Sequence, residues 1–450
     1  MRKIFGTDGI RGIANNYPLT PELVVKIGKA IAHVFSKKHN RKIKIVIGKD
    51  TRLSGYMIEN ALTSGIVSMG SDVLLVGPLP TPAIAHLTKS LNCDIGIVLT
   101  ASHNPADDNG IKVFGSDGYK LYDEEEEEVE RYVFSENIST DHIKGNKIGK
   151  AYRIDDARGR YIEYVKATIN NNSLEGLRMV IDCANGAAYA VAPDIFSELG
   201  AEVIVLNNKP DGLNINYECG ALHPEVIQQK ISEVKADIGV AFDGDADRVV
   251  CCDEKGNPVD GDQILTMFAL NMIKKNKLND NALVITDYSN LAVDETIRKA
   301  GGNVIRTQNG DRYVVEEMRK QGYNFGGEKS GHLIFGDYST TGDGIISALQ
   351  VVNIMNETKK PLSELCFCFT PYPQITRNLE VREKIPFENI PQVQNIITEI
   401  NSKLGNEGRT LVRYSGTEPV CRIMIEGKNL QEIENYAMQI EEAIKNSLEK

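Results

Sequence analysis

The sequence predicts an α/β protein: three similar α/β/α units with mixed, mostly parallel sheets, followed by a C-terminal α+β domain, arranged around a central cleft. Three observations predict it. A strand–helix–strand order recurs three times along the chain, a polar glycine-bearing loop follows at the matching point of each recurrence, and the segment beyond about 362 lacks the pattern.

In the first unit, Ile43-Lys44-Ile45-Val46-Ile47-Gly48 reads as a strand, a helical segment closes at Met69-Gly70, and Asp72-Val73-Leu74-Leu75-Val76 follows as the next strand. The order recurs from Leu177 to Asp182, through a helix ending at Leu199-Gly200, to Ala201-Glu202-Val203-Ile204-Val205. It recurs again from Asn281 to Asp287, through a helix ending at Ala300-Gly301, to Gly302-Asn303-Val304-Ile305. Each helix closes on a glycine, which takes the left-handed conformation that ends a helix without a Cβ clash. The strands are apolar throughout, as parallel strands covered on both faces are, and a right-handed crossover joins them. Ahead of the first repeat, Thr20-Pro21-Glu22 reads as a helix start with proline at its first position, and Leu23, Ile27, Ile31 and Val34 form its buried stripe. The acidic run from Glu124 to Glu128 reads as the solvated face of a helix whose Val129, Tyr132 and Val133 point inward. Pro371, Pro373 and Pro391 punctuate the tail, which ends in an amphipathic helix after Leu430. The expected domains are 1–150, 151–250, 251–362 and 363–450, since a 450-residue chain is too long for one core.

The net charge of −11 argues against nucleic acid or an anionic membrane as partner, because both require a basic face. An anionic substrate then needs a local basic cluster. No apolar run approaches the ~20 residues that span a bilayer, and the opening segment has no secretory pattern. The eight cysteines are scattered without metal-site spacing, so reduced, buried thiols and a cytoplasmic protein are expected.

The polar loops carry the chemistry. Ser102 lies in Ala101-Ser102-His103-Asn104-Pro105, where a turn serine is the plain reading. His103 and Lys112 nearby add protons or positive charge for a phosphate on Ser102, which would carry roughly −1.5 to −2 charge. Asp243, Asp245 and Asp247 stand at alternate positions behind an apolar strand, and three such carboxylates repel one another unless a cation sits between them. A calcium EF-hand fails, since Arg248 occupies its glycine position and the flanks read as strands. A phosphatase-type site with Asp243 as nucleophile is the rival; it would leave Asp247 and Ser102 idle. Magnesium held by the three aspartates and a phosphoryl oxygen is the stronger reading. Glu328 and Ser330 in the loop 327–332 are placed to accept from adjacent sugar hydroxyls, with His332 beside them. Arg413, Ser415, Gly416, Thr417 and Arg422 read as an anion site, the local basic cluster that an acidic protein needs. Arg11 adds one cation in the glycine-spaced loop 6–12.

Taken together, the segments 6–12, 100–105 with 109–112, 243–248, 326–332 and 413–419 resemble the α-D-phosphohexomutase family, in the family's order and across the whole chain. The stretches 214–216, 219–220, 223–225 and 341–344 resemble its bacterial branch that interconverts glucosamine 6-phosphate and glucosamine 1-phosphate. Ala221-Leu222 and Asn309 depart from that branch's usual pattern outside the motifs. The resemblance implies four domains around a cleft and an isomerase acting on hexosamine phosphates, through a phosphoserine at Ser102 and a hexose 1,6-bisphosphate. Its product would feed amino-sugar and cell-wall precursors. One Mg²⁺ per chain would be held by Ser102, Asp243, Asp245 and Asp247. The resemblance makes Lys112 the general acid/base with Arg11, His103 and Arg248 in support, and gives Glu328, Ser330 and His332 to the sugar. The 413–422 group receives the phosphate that is not being transferred. A monomer or homodimer is expected. A phosphomannomutase/phosphoglucomutase of the same family and a non-catalytic sugar-phosphate sensor are the alternatives; intact Ser102, Lys112 and aspartates argue against the sensor.

Overall fold

The computed structural model describes residues 3–39, 41–135, 138–141, 143–414 and 419–448. They form two compact units, 1–288 with 300–368, and 289–299 with 369–450.

The larger unit holds three sheets. In the first, Lys44–Lys49 lies between Asp72–Pro78 and Ile95–Leu99 and runs parallel to both. Ile95–Leu99 folds back into Asp108–Gly115, which carries Gly9–Ile13 and Phe5–Gly6 at the sheet's edge. Ala151–Arg153 completes the opposite edge beside Asp72–Pro78. The second sheet repeats the plan: Arg178–Asp182 is parallel to Glu202–Leu206 and to Ile238–Phe242, which folds back into Val249–Cys252. In the third, Ala282–Thr286 is parallel to Asn303–Thr307 and to Phe325–Gly327, which folds back into Leu333–Phe335. The three polar loops are thus the turns of three equivalent hairpins, each made where a parallel strand meets its antiparallel partner. Such turns lie beyond the carboxyl ends of the parallel strands, where α/β sheets bind ligands.

Burial follows the expected periodicity with two departures. On the helix Pro21–His39, Ile27, Ile31 and Val34 are buried as expected, but Leu23 is only half-buried while Val24 is buried. The acidic run is not wholly solvated. Glu126 is buried and pairs with Arg312 at 3.2 Å, and Glu130, one turn on, is buried and accepts from the backbone N–H groups of Ile4 and Phe5 at 3.0 and 3.2 Å. Five consecutive acids at 100° per residue wrap more than one face, so one of them shares the inward stripe of Val129 and Val133. All eight cysteines are free thiols, and Cys368 is the single one not fully buried.

The smaller unit is an antiparallel sheet in the order Gln374–Glu380, Val420–Gly427, Gly408–Tyr414. The helices Pro391–Leu404 and Leu430–Leu448 bury Val393, Ile400, Ile440 and Ile444 with Ile423 and Ile425 of the central strand. The helix Leu291–Lys299, which the repeat pattern places in the third α/β unit, groups with this sheet. The fully buried Glu426 carboxylate accepts from Leu291 N at 3.1 Å, an anion at the helix's positive end, and Arg409 donates to Ser289 O at 2.6 Å. Among the described residues, no helix is long and apolar enough to cross a membrane.

Candidate active site

Two of the three hairpin turns meet at Ser102. The residue is buried and left-handed, with φ 52°, a conformation that costs a non-glycine residue about 1–2 kcal/mol. Its N–H donates to Thr100 Oγ1 at 2.9 Å, and its hydroxyl donates to Asp243 Oδ2 at 2.7 Å. His103 Nδ1 lies 3.4 Å from the same hydroxyl and accepts from Arg248 Nη1 at 3.2 Å. Burial, Arg248 and Arg11 push the His103 imidazole below its ordinary range, so it is neutral at pH 7.

The aspartate turn joins Ile238–Phe242 to Val249–Cys252, so strands flank it on both sides as expected. The carboxylates of Asp243, Asp245 and Asp247 are buried and offer oxygens within 4.8 Å of one another. Burial and the charges of Asp247 and Asp245 push the Asp243 carboxyl well above the usual carboxylate range. Asp245 Oδ2 accepts from Thr81 Oγ1 at 2.6 Å and Lys112 Nζ at 2.9 Å. Asp245 Oδ1 and Asp247 Oδ1 are buried with no hydrogen-bond donor. Orphaned, buried, converging carboxylate oxygens fit a hard divalent cation that takes oxygen ligands. The donor set therefore suits a metal of the magnesium class.

Lys112 stands on the return strand Asp108–Gly115 and is buried against this cage. Its ammonium is shared by Asp245 at 2.9 Å, Asp8 at 3.3 Å and Asp247 at 3.4 Å. Burial alone would lower its pKa; the three carboxylates win and hold it above the ordinary lysine range. Asp8 also pairs with Arg11, and Lys120 bridges Asp8 and Asp311 at 2.6 Å each. A chain of alternating charges thereby runs from the first α/β domain into the third.

The turn of the third hairpin sits at the end of that chain. Glu328 is buried, and its Oε1 accepts from Gly310 N at 3.1 Å. Ser330 is exposed and meets Glu328 Oε2 only at 3.5 Å. His332, expected beside the sugar, is buried: its Nε2 accepts from Gly342 N at 3.1 Å and its Nδ1 faces Asp247 Oδ1 at 3.6 Å. The imidazole stands beside the aspartate cage, on the residue that precedes the buried strand Leu333–Phe335.

Ser102, Lys112, Arg11, His103, Arg248, the three aspartates, Glu328 and His332 therefore come together in the larger unit. Arg413 and Arg422 lie directly opposite each other on the smaller unit's hairpin. Ser415, Gly416 and Thr417 lie outside the described residues. Motif reading did not single out Asp8, Lys120, Thr81 or Asp311. Asp8 had a signal in its place beside Arg11 in the 6–12 loop, and Asp311 in the glycine before it; Thr81 and Lys120 had none.

Four family models match in succession: the phosphoglucomutase/phosphomannomutase α/β/α domain I over residues 2–139, domain II over 159–256, domain III over 260–372 and the C-terminal domain over 377–443. The chain is 53% identical over 449 residues to a phosphoglucosamine mutase of Pelobacter propionicus, covering 100% of this chain and 99% of that one. It is 51% identical over 446 residues to the enzyme of that name from Sorangium cellulosum, covering 99% and 93%. Among solved structures, a phosphoglucomutase/phosphomannomutase family protein of Burkholderia thailandensis superposes with a TM-score of 0.80 at 24% identity, covering 99% of this chain and 97% of that one. An N-acetylphosphoglucosamine mutase of Aspergillus fumigatus, solved with GlcNAc-6P and magnesium, gives 0.66 at 18%, covering 99% and 96%. With matching models for every domain and more than half its residues shared with full-length relatives, the chain belongs to the α-D-phosphohexomutase family of phosphoglucomutases and phosphomannomutases.

Proposed function

We propose that the protein is an isomerase that interconverts glucosamine 6-phosphate and glucosamine 1-phosphate, with Ser102 as the phosphoryl carrier. The observation that carries the chemistry is the Ser102 hydroxyl donating to a carboxylate of the aspartate cage at 2.7 Å, with the buried Lys112 ammonium against the same cage. The glucosamine preference rests on the name shared by the relatives at about half identity. The expected four-domain division, near 150, 250 and 362, is part of the same reading.

In the first half-reaction the Ser102 Oγ–P bond breaks as a sugar hydroxyl takes the phosphoryl group, giving a 1,6-bisphosphate. The hydroxyl's proton passes, in net, to Ser102 Oγ. In the second half-reaction the other phosphate returns to Ser102 and the proton moves back. Lys112 takes the general acid/base role, with His103, whose Nδ1 lies 3.4 Å from Ser102 Oγ, in support. With a cation bound by the cage carboxylates, their hold on the Lys112 ammonium would weaken and its proton would come closer to the exchangeable range. Magnesium, where bound by Ser102, Asp243, Asp245 and Asp247, would withdraw charge from the phosphoryl oxygens. Arg248 and Arg11 add fixed positive charge beside the serine. Glu328 and Ser330 accept from sugar hydroxyls, and Arg413 and Arg422, with 415–417, grip the phosphate that is not moving. His332, given to the sugar by the resemblance, is buried with its Nδ1 3.6 Å from Asp247 Oδ1.

Three measurements test this reading. Intact mass after incubation with glucose 1,6-bisphosphate should show one added phosphate in the parent and none in Ser102→Ala, whose turnover should fall by on the order of 10³-fold or more. Arg422→Ala should raise KM for both glucosamine phosphates alike by about ten- to a hundred-fold, the loss of a charge-assisted hydrogen bond; a defect in one direction alone would remove this arginine from the phosphate grip. Turnover compared on glucosamine, mannose and glucose phosphates decides the sugar, and a preference for either neutral hexose would overturn the glucosamine assignment.

A further inference from the structure

We propose that Arg52 and Asn216 are positioning residues that clamp the Ser102 loop from two domains and hold the serine in its left-handed, transfer-ready conformation. The proposal rests on Ser102 being the phosphoryl carrier.

Arg52 is fully buried, and an arginine has five N–H donors and no acceptor. All five are used. Nε donates to Asp50 Oδ2 at 2.8 Å, Nη2 to Ser102 O at 3.0 Å and Asn104 O at 2.8 Å, and Nη1 to Asp108 O at 3.0 Å and to Pro105 O. Four carbonyls of a single loop thus converge on one guanidinium. The partner Asp50 closes the circuit: its Oδ2 also accepts from Thr100 Oγ1 at 2.7 Å, and Thr100 Oγ1 accepts the Ser102 N–H. Both backbone polar groups of Ser102 are therefore tied to the Asp50–Arg52 pair.

The second jaw comes from the second α/β domain. Asn216 Nδ2 donates to Ser102 O at 2.9 Å and to Asn104 O at 3.0 Å, the same two carbonyls that Arg52 Nη2 reaches. Two acceptors on one side require the amide nitrogen there, so the orientation of this asparagine is settled by its partners. Asn216 is itself left-handed, with φ 59°, as asparagine readily is. The loops meet so closely that a Cβ on Gly244 would lie 2.5 Å from Ser102 O and 2.8 Å from Asn216 Nδ2. The clamp thus presses the serine's backbone against the aspartate turn, which aims Oγ at Asp243. Relaxation of φ toward its ordinary negative range would swing that oxygen away, and misplacement of a reacting atom by about 1 Å can cost on the order of a hundredfold in rate.

The decisive variants are Asn216→Ala, which removes the donor and leaves space, and Asn216→Asp, which keeps the shape but turns acceptors toward two carbonyls. Single-turnover transfer from phosphorylated enzyme to glucosamine 6-phosphate is measured per phosphorylated Ser102, alongside KM and the thermal midpoint. The rate constant should fall about ten- to a hundred-fold in Asn216→Ala and further in Asn216→Asp, with KM within about two-fold of the parent. Arg52→Lys keeps a cation beside Asp50 and loses the fork, and should show the same split between rate and KM. If Asn216→Asp transfers at the parent rate while Asn216→Ala is slow, shape and not donation matters and the clamp is wrong. If phosphorylated molecules of every variant transfer at the parent rate, with only fewer of them folded, the role is merely structural. A parent that takes up no phosphate at Ser102 would instead overturn the phosphoryl-carrier reading itself.

Discussion

The turns at Ser102 and at Ser330 occupy equivalent places in their α/β units, each where a parallel strand folds back on itself, yet their support differs. Around Ser102 the backbone carbonyls of four residues are held by a buried guanidinium, and the hydroxyl points into a buried carboxylate cage. Around Ser330 the side chain is exposed, and its hydroxyl approaches Glu328 Oε2 at 3.5 Å. On the proposed function, the same topology serves as a rigid turn for bond-making and an open turn for recognition. Bond-making needs sub-ångström placement of a strained residue, whereas a group that reads a ligand must be reachable and can adjust as the ligand arrives.

Asp245→Asn tests the rigid side where the largest effect is expected. It removes one charge from the cage and one counter-charge from Lys112. The magnesium needed for half-maximal activity should rise, and turnover should fall on the order of a hundredfold or more, the equivalent of several kcal/mol of charge stabilisation. A magnesium titration of activity checks it, and unchanged metal dependence would leave the triplet as an ordinary strand end. Ser330→Ala tests the open side. Loss of a neutral hydrogen bond of about 0.5–1.5 kcal/mol should raise KM about two- to ten-fold and leave kcat nearly intact. A collapse of kcat in Ser330→Ala would break the contrast, since both turns would then serve bond-making.

The smallest effect concerns the support of the aspartate turn and reads out as stability. The helix Thr81–Ser90 carries Thr81 against Asp245 and, one turn on, His86 stacked on Tyr164 at 3.7 Å. Burial, with Lys89 adding to it, pushes His86 down to about 4 from an ordinary 6.5. The folded state therefore binds the proton more weakly than the unfolded chain does. The stability this neutral stack contributes is complete above pH 6.5 and is lost as pH falls from there toward 4. Urea midpoints measured across that window should fall more steeply for the parent than for His86→Gln. Parallel curves would show that the imidazole is not kept neutral by the fold.

Much of the site was legible because its chemistry is local. Three aspartates at alternate positions must repel wherever the strand ends, and a serine followed by His103 and Asn104 in a turn offers a hydroxyl with polar neighbours whatever the fold. The third turn was harder. Its glycines and polar side chains predicted an accessible loop, but whether an imidazole two residues past Ser330 faces the cleft or the core depends on where the return strand begins. His332 falls on the inward side.

The sequence by itself determined the α/β repeat, the order of the turns and the identity of the charged groups, because strand apolarity, glycine stops and carboxylate spacing act over a few residues. Tertiary structure alone decided which charges neutralise which. Lys112 reaches Asp245 from 133 positions away and Lys120 reaches Asp311 from 191. Arg52 and Asn216, on separate domains, converge on the same carbonyls. Electrostatic pairing in a buried site depends on distances of a few ångströms, and those distances exist only once the sheets have brought their turns together.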